Sequence, residues 1–138
     1  MMVSRHVIAA RLERLAENLQ LLRKVQEVDV TTFCADPFLY GAAERNLHLA
    51  IETLLDIGNH IISDRGYRKP ETYADILAIL AEQQVIDDDL FSRLAGMASF
   101  RNLLVHDYLR LDRRKVYQVV QQQLAALEDL SRVFVRLI

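Results

Sequence analysis

The 138-residue sequence has few of the residues that form turns or disulfides, and it has no segment suited to span a membrane. It contains four glycines, two prolines, no tryptophan and a single cysteine, Cys34. Scarce glycine and proline favour long helices with short connections over a sheet protein. A lone cysteine excludes an intrachain disulfide and is typical of a reducing compartment. No apolar run is long enough and free enough of charge to be a signal peptide or to span a bilayer, so we expect a soluble, cytoplasmic protein without membrane contact.

Composition and charge describe an ordinary globular chain. Hydrophobic residues make up 51% and charged residues 26% of the sequence, which argues against disorder. The length fits one domain, covering residues 1–138, with a sizeable core. With a formal net charge of −2, the protein has no overall positive charge that would attract nucleic acid. Any contact with nucleic acid must therefore be local.

Hydrophobic periodicity predicts an all-α fold, an up-and-down helical bundle of four long helices and one short helix. Apolar residues recur at three- and four-residue steps over residues 4–25, which predicts a first helix with Ser4 as its N-cap. Asp36 followed by Pro37 is a strong helix start, because the aspartate caps free backbone donors and proline loses no hydrogen bond there. This second helix is predicted to end near Ile62.

The remaining segments complete the predicted bundle. Residues 28–36 contain β-branched side chains and no helical period, so we expect a loop there. A short helix is predicted over residues 72–83, and a long one over residues 88–108 after a run of three aspartates. A last helix, capped by Asp112, is predicted over residues 113–137, with an apolar seam of alternating four- and three-residue steps.

One face of the second predicted helix is polar. At about 100° per residue, six side chains fall within roughly 80° of one another: Arg45, His48, Glu52, Asp56, Asn59 and Ser63. Such a stripe is usually the solvated side of a helix. The alternative is that it lines a cleft, in which case Glu52 and Asp56 would support the chemistry there.

Several kinds of chemistry have no matching residue pattern. No glutamate lies three residues before any of the four histidines, as di-metal helical bundles require. The sequence also lacks a His-Glu-x-x-His motif, a cysteine pair for zinc, a glycine-rich phosphate loop and a Gly-x-Ser-x-Gly elbow. We therefore expect neither a metal site nor a cofactor.

The segment SFRNLLVHDYL, residues 99–109, places Arg101, Asn102, His106 and Tyr108 close together. Histidine titrates near neutrality, and arginine is a bidentate donor to phosphate. With a basic continuation over residues 110–115, these side chains could hold and cleave a phosphodiester. The alternative is structural: Arg101 pairs with an acidic residue and the others are solvated at the end of the helix.

Helix geometry predicts how these side chains meet. Asn102 and His106 share a face, whereas Arg101 and His106 point about 140° apart and differ by roughly 7.5 Å in rise. A long guanidinium can reach around the helix, or a second copy of the chain can bring its own residues nearby across a two-fold axis. Gly58 and Gly96 would allow helices to approach closely. We therefore expect a homodimer.

Two segments resemble a known family. RNLLVHDY at 101–108 resembles the Arg-x4-His-x-Tyr motif of HepT-like proteins, a branch of the HEPN superfamily, and AIETLLDIGNHII at 50–62 is similar to that family's acidic, glycine-containing segment. The resemblance covers essentially the whole chain. It implies a helical bundle that homodimerises around the motif helices and a toxin that cleaves RNA without a metal. It also implies an antitoxin partner, a minimal nucleotidyltransferase that transfers AMP onto the motif tyrosine.

The resemblance implies roles for four residues of the motif. Arg101 and His106 would be catalytic, Asn102 would be the polar residue that follows the arginine, and Tyr108 would be the modification site. Two other functions stay open. One is a non-catalytic helical dimer that binds the nucleotidyltransferase through Arg101 and Tyr108; the other is DNA binding by the basic residues 110–115.

Overall fold

The computed structural model describes residues 5–138, except for the side chain of Tyr108, and is built from helices. The α-helices are α1 (Arg5–Gln26), α2 (Val30–Ala35), α3 (Pro37–Asp64), α4 (Tyr73–Glu82), α5 (Asp88–Arg93), α6 (Met97–His106) and α7 (Arg113–Leu137). A 3₁₀ turn covers Tyr108–Arg110. The predicted all-α bundle is confirmed, with no strand in the described part of the chain. The predicted Ser4 cap lies outside the described residues.

The long helices α1, α3 and α7 pack against one another, and α3 also contacts α2, α4 and α6. Their apolar stripes form the core, in which Leu15, Leu47 and Phe134 are fully buried. Asp36 and Asp112 cap α3 and α7 as predicted, each through its side chain. Because α3 touches most other elements, residues on its polar face are brought to neighbours far away in sequence.

The core contains two buried polar side chains that hydrophobic periodicity does not predict. Asn18 and Asn46 are both buried, and the Asn18 amide donates a 2.9 Å hydrogen bond to Oδ1 of Asn46. Asn46 in turn donates to the backbone carbonyl of Ala42 at 2.8 Å. These bonds satisfy amide groups that would be costly to bury unpaired.

The prediction of a loop over residues 28–36 is wrong for the centre of this segment, where α2 forms a helix of six residues. Asp29 caps it by accepting a 2.8 Å hydrogen bond from the backbone N–H of Thr32. Phe33, fully buried, anchors the helix to the core. Six residues are too few to display a helical period, so the pattern carried no signal for this element.

The single helix predicted over residues 88–108 is divided into α5 and α6. Gly96 adopts the left-handed conformation, with φ of 87°, and turns the chain between the two helices. A Cβ at Gly96 would meet no atom within 4 Å, so this glycine is needed for its backbone conformation. The expectation that Gly96 allows a close helix approach is therefore wrong, and the motif residues lie on a separate helix of ten residues.

Gly58 does allow helices to approach closely, but within one chain. A Cβ there would lie 3.0 Å from Cγ2 of Ile76 and 3.2 Å from Cδ1 of Leu80, both on α4. This contact places α4 against α3, and it gives no support to a contact between two chains. No helix within residues 5–138 combines the length and the hydrophobicity needed to cross a membrane.

We expect Gly58→Val to lower the free energy of unfolding by about 1–3 kcal/mol, because the added side chain overpacks the contact with α4. Gly41→Ala, on the same helix, is the matched control. A Cβ at Gly41 meets nothing within 4 Å, and alanine favours the helix by up to about 1 kcal/mol. Urea denaturation of both variants checks this. A Gly58→Val protein as stable as the wild type would contradict the packing of α3 on α4.

Candidate active site

Arg101 is held by three neighbours. Its Nε and Nη2 donate to the two carboxylate oxygens of Glu52 on α3, at 2.8 and 3.0 Å. Its Nη1 donates to Oδ1 of Asn102 at 3.2 Å. The guanidinium carbon lies 4.3 Å from the centre of the Tyr73 ring on α4, a cation–π geometry. Only 12% of the Arg101 side chain is exposed, so its position is well defined.

This pairing bears on two alternatives left open by the sequence. Arg101 does pair with an acidic residue, as the structural alternative required. The partner is Glu52, whose side chain is 29% exposed and lies against α6. The middle of the polar stripe on α3 therefore faces another helix instead of open solvent.

The ion pair shifts the pKa values of its members. Hydrogen bonds from Arg101 hold the pKa of Glu52 below its ordinary value, against the opposing effect of burial. The hydrogen bond to Glu52 raises the pKa of Arg101 in turn. His48 Nε2 lies 3.8 Å from the Glu52 carboxylate, one turn earlier on α3. Glu52 is therefore an ionised carboxylate at neutral pH, and it fixes the orientation of the guanidinium.

Asp56 lies one turn further along α3 and has different surroundings. Its carboxylate is 4.0 Å from Nη1 of Arg11 on α1, and about half of the side chain is exposed. Burial of the other half, followed by the negative charge of Glu52, raises the pKa of Asp56. Within residues 5–138 no hydrogen bond joins Asp56 to the Arg101 site. The structure thus brings Glu52 to the motif and leaves Asp56 at its edge.

His106 ends α6 with an exposed side chain. It lines a shallow concavity of about 390 Å³ together with Ser99, Asn102, Leu103 and Asp107. Arg101 does not line this concavity, and no hydrogen bond or ion pair in the described part of the chain joins Arg101 to His106. Asn102 contacts both parts of the motif, since it accepts a hydrogen bond from Arg101 and borders the concavity around His106. The divergence of Arg101 and His106 predicted from helix geometry is thus present.

Some of the basic residues that follow the motif, at positions 110–115, make contacts within the chain. Arg110 lies 3.8 Å from the carboxylate of Asp107. The guanidinium of Arg113 stacks 4.1 Å from the centre of the Tyr40 ring and donates to the backbone carbonyl of Cys34. Arg114 and Lys115 are exposed in the first turn of α7. Positive charges at a helix N-terminus oppose the helix dipole, so Arg114 and Lys115 do not stabilise α7 through that dipole.

Tyr73 is the member of the site that sequence reasoning missed. Tyr73 is the first residue of α4, in the short helix predicted over residues 72–83. No motif or spacing connects it to Arg101; only the packing of α4 against α6 does so. Across residues 5–138, no three side chains of the His, Cys, Asp and Glu types are grouped to bind a metal ion.

We expect Glu52→Gln to destabilise the fold at pH 7 by about 1–2 kcal/mol, because a neutral amide cannot balance the charge of Arg101. The difference from wild type should shrink at acid pH. Since the folded pKa of Glu52 lies below its ordinary value of 4.5, its contribution is complete above pH 4.5 and is lost as pH falls through the folded value. Urea denaturation at pH 7 and pH 3, at one protein concentration, measures both effects.

Glu13→Gln is the matched control, because it makes the same change on the exposed face of α1. We expect it to leave the free energy of unfolding unchanged at pH 7. A Glu52→Gln variant with the stability of the wild type at both pH values would show that the ion pair contributes nothing to the fold.

The helical bundle, with an Arg-x4-His-x-Tyr motif across the end of α6, has the architecture of HEPN proteins. The chain belongs to the HepT-like family: the family model described as Ribonuclease HepT-like matches residues 15–134. Over 124 residues it is 30% identical to the mRNA nuclease HepT of Shewanella oneidensis, a match that covers 88% of this chain and 93% of that protein.

Solved structures extend the comparison. The chain superposes on the cytosolic protein YutE of Bacillus subtilis with a TM-score of 0.86 and 27% identity, covering 99% of this chain and 91% of YutE. In sequence, the match to YutE is 33% identical over 91 residues and spans 66% of this chain and 63% of YutE. A tri-AMPylated HEPN toxin of Shewanella oneidensis, solved in complex with the MNT antitoxin, has a TM-score of 0.83 at 27% identity, with 96% and 99% of the two chains covered.

Proposed function

We propose that this protein is the toxin of a toxin–antitoxin pair, a metal-independent endoribonuclease that acts through Arg101 and His106 at a homodimer cleft. The observation that carries the proposal is the arrangement of the motif. Arg101 is fixed by Glu52, Asn102 links it to the space around His106, and His106 is exposed in that space. A relative that carries the name mRNA nuclease supports RNA as the substrate.

The chemistry assigned to these side chains is phosphodiester transfer within RNA. His106 removes the proton from a ribose 2′-hydroxyl, whose oxygen attacks the neighbouring phosphorus. Arg101 neutralises the charge that builds on the phosphate oxygens, and the 5′-oxygen of the next nucleotide leaves and takes up a proton from water. Asn102 orients the histidine or the substrate between them. All of these groups are side chains of the protein, so the reaction requires no metal ion.

Support for the homodimer comes from the position of Arg101. Arg101 of one chain does not line the concavity of its own His106, so the two groups are not assembled on one helix. A two-fold axis near the end of α6 would place the arginine of each chain beside the histidine of the other. The complete site would then belong to two copies of the chain.

The proposed partner is an antitoxin with a minimal nucleotidyltransferase fold, which transfers AMP from ATP to the hydroxyl of Tyr108 and releases pyrophosphate. Support comes from the Shewanella oneidensis toxin, which is tri-AMPylated and bound to the MNT antitoxin. Tyr108 follows His106 by two residues, in the 3₁₀ turn after α6. A bulky anion attached there would occlude the site and compete for Arg101.

The test combines cleavage and modification. The purified protein should cleave RNA in the presence of EDTA. After incubation with the proposed nucleotidyltransferase antitoxin and ATP, mass spectrometry should find AMP on Tyr108, and cleavage should stop. Tyr108→Phe is the matched control, since it retains the ring and lacks the acceptor hydroxyl. Binding of the nucleotidyltransferase without any RNA cleavage would instead favour the non-catalytic dimer.

A further inference from the structure

We propose that the cleft beside Tyr73 binds a nucleobase of the RNA, next to the phosphate held at Arg101. The cleft has a volume of about 300 Å³ and lies where α3, the connection to α4 and the start of α4 meet. Its polar lining comes from Asn59, Lys69, Glu71 and Thr72, and Tyr73 is the aromatic residue of the lining. The inference rests on the proposed function, whose substrate it specifies further.

Arg101 connects two concavities through its direct neighbours. Asn102, which accepts a hydrogen bond from Arg101, lines the space around His106. Tyr73, whose ring stacks on the guanidinium, lines the cleft. Each concavity is therefore bordered by a residue in direct contact with Arg101, and an RNA strand with one phosphate at Arg101 has both within reach. One of them contains the proposed catalytic histidine, and the other has no assigned role.

The hydrogen bonds of Arg101 define where that phosphate binds. A guanidinium has five N–H groups. Glu52 takes one on Nε and one on Nη2, and Asn102 takes one on Nη1. Two N–H groups remain, one on each terminal nitrogen, and these can donate to a phosphate. Glu52 and Tyr73 hold the guanidinium in one orientation for that contact.

The lining of the cleft suits a nucleobase. An aromatic ring stacks on any base, and the exposed amide of Asn59 offers both a donor and an acceptor to the base edge. Lys69 is exposed at the same cleft and can contact the backbone of a strand that continues outward. The carboxylate of Glu71 disfavours a second phosphate inside the cleft. These features fit one neutral base better than an isolated anion.

Asn59 is the best residue to test, because it lines the cleft and makes no hydrogen bond to Arg101. We would compare a short RNA substrate with versions that each carry one abasic nucleotide beside the cleavage site. For the wild type, one abasic position should lower kcat/KM by about tenfold, the size expected for the loss of one base stack. Asn59→Ala should lower kcat/KM severalfold on intact RNA and cause no further loss on that abasic RNA.

Tyr73 provides a second comparison. Tyr73→Phe retains the ring and should retain the base preference. Tyr73→Leu should lose base preference and also slow the chemical step, since the stack on Arg101 is lost. Lys24→Ala, an exposed change on α1 outside the cleft, should leave rates and base preference unchanged.

The same comparison can be made without cleavage. Affinities of intact and abasic RNA are measured by fluorescence anisotropy with the His106→Ala protein and its Asn59→Ala derivative. The expected result is that Asn59→Ala weakens binding of intact RNA and has no effect on the abasic RNA. Equal effects on both RNAs, or no abasic position that matters for the wild type, would overturn the base site. Failure of the wild type to cleave any RNA would overturn only the proposed function.

Discussion

Replacing His106 by alanine is expected to lower kcat/KM for RNA cleavage by about 10²- to 10⁴-fold, the loss typical of a general acid–base group. The bundle should remain folded, because the His106 side chain is exposed at the last residue of α6. Single-turnover cleavage of a labelled RNA measures the rate, and thermal unfolding followed by circular dichroism measures the fold.

His60→Ala is the matched control for this change. His60 lies on α3, half-buried, and has no part in the proposed chemistry. We expect it to cleave RNA at close to the wild-type rate. If His106→Ala cleaves as fast as His60→Ala, then His106 is not the catalytic base, and the assignment of the motif is wrong.

Mixing two inactive variants should restore activity if the site is shared between chains. Arg101→Ala and His106→Ala proteins are each expected to be inactive, because every site in their homodimers lacks one of the two groups. After unfolding and refolding together, half of the dimers contain one chain of each kind. One of the two sites in such a dimer has both groups, so the mixture should regain about a quarter of the wild-type rate.

This complementation distinguishes a composite site from one built within a single chain. A site with Arg101 and His106 from the same chain stays inactive in every mixture, because each chain lacks one of them. Two variants that lack the same residue, such as Arg101→Ala and Arg101→Lys, provide the control and should show no gain on mixing. Light scattering must also report a dimer, and a mass near 15.9 kDa at micromolar concentration would contradict it.

Arg101→Ala requires a check of its fold. Removal of the guanidinium leaves the Glu52 carboxylate, which is 29% exposed, without its main partner. This should lower the free energy of unfolding by about 1–3 kcal/mol. The measurement of activity is therefore made well below the melting temperature of the variant. Arg101→Lys keeps the positive charge, loses the bidentate geometry and separates the two contributions.

The two glycines that suggested a dimer have other roles in the structure. Gly58 accommodates side chains of α4 within the same chain, and Gly96 supplies a left-handed turn between α5 and α6. Neither points to a contact between chains. Support for the dimer now comes from the separation of Arg101 and His106, which is an observation about the site itself.

Local patterns were sufficient for much of the fold. Repeated three- and four-residue spacing of apolar side chains predicted α1, α3 and α7, and Asp36 and Asp112 marked two helix starts correctly. These signals work because a helix is built from contacts between residues three or four apart. The motif residues Arg101, Asn102 and His106 were recognisable for the same reason, since their spacing is a local property.

The sequence by itself therefore determined the all-α class, the long helices and the residues worth examining. The tertiary structure decided what surrounds them. It placed Glu52 against Arg101, from which it is 49 residues distant in sequence, stacked Tyr73 on the same guanidinium, and broke the motif helix at Gly96. The physical reason is that helical spacing shows which side chains share a face, whereas the partner of that face depends on how distant helices pack together in the core.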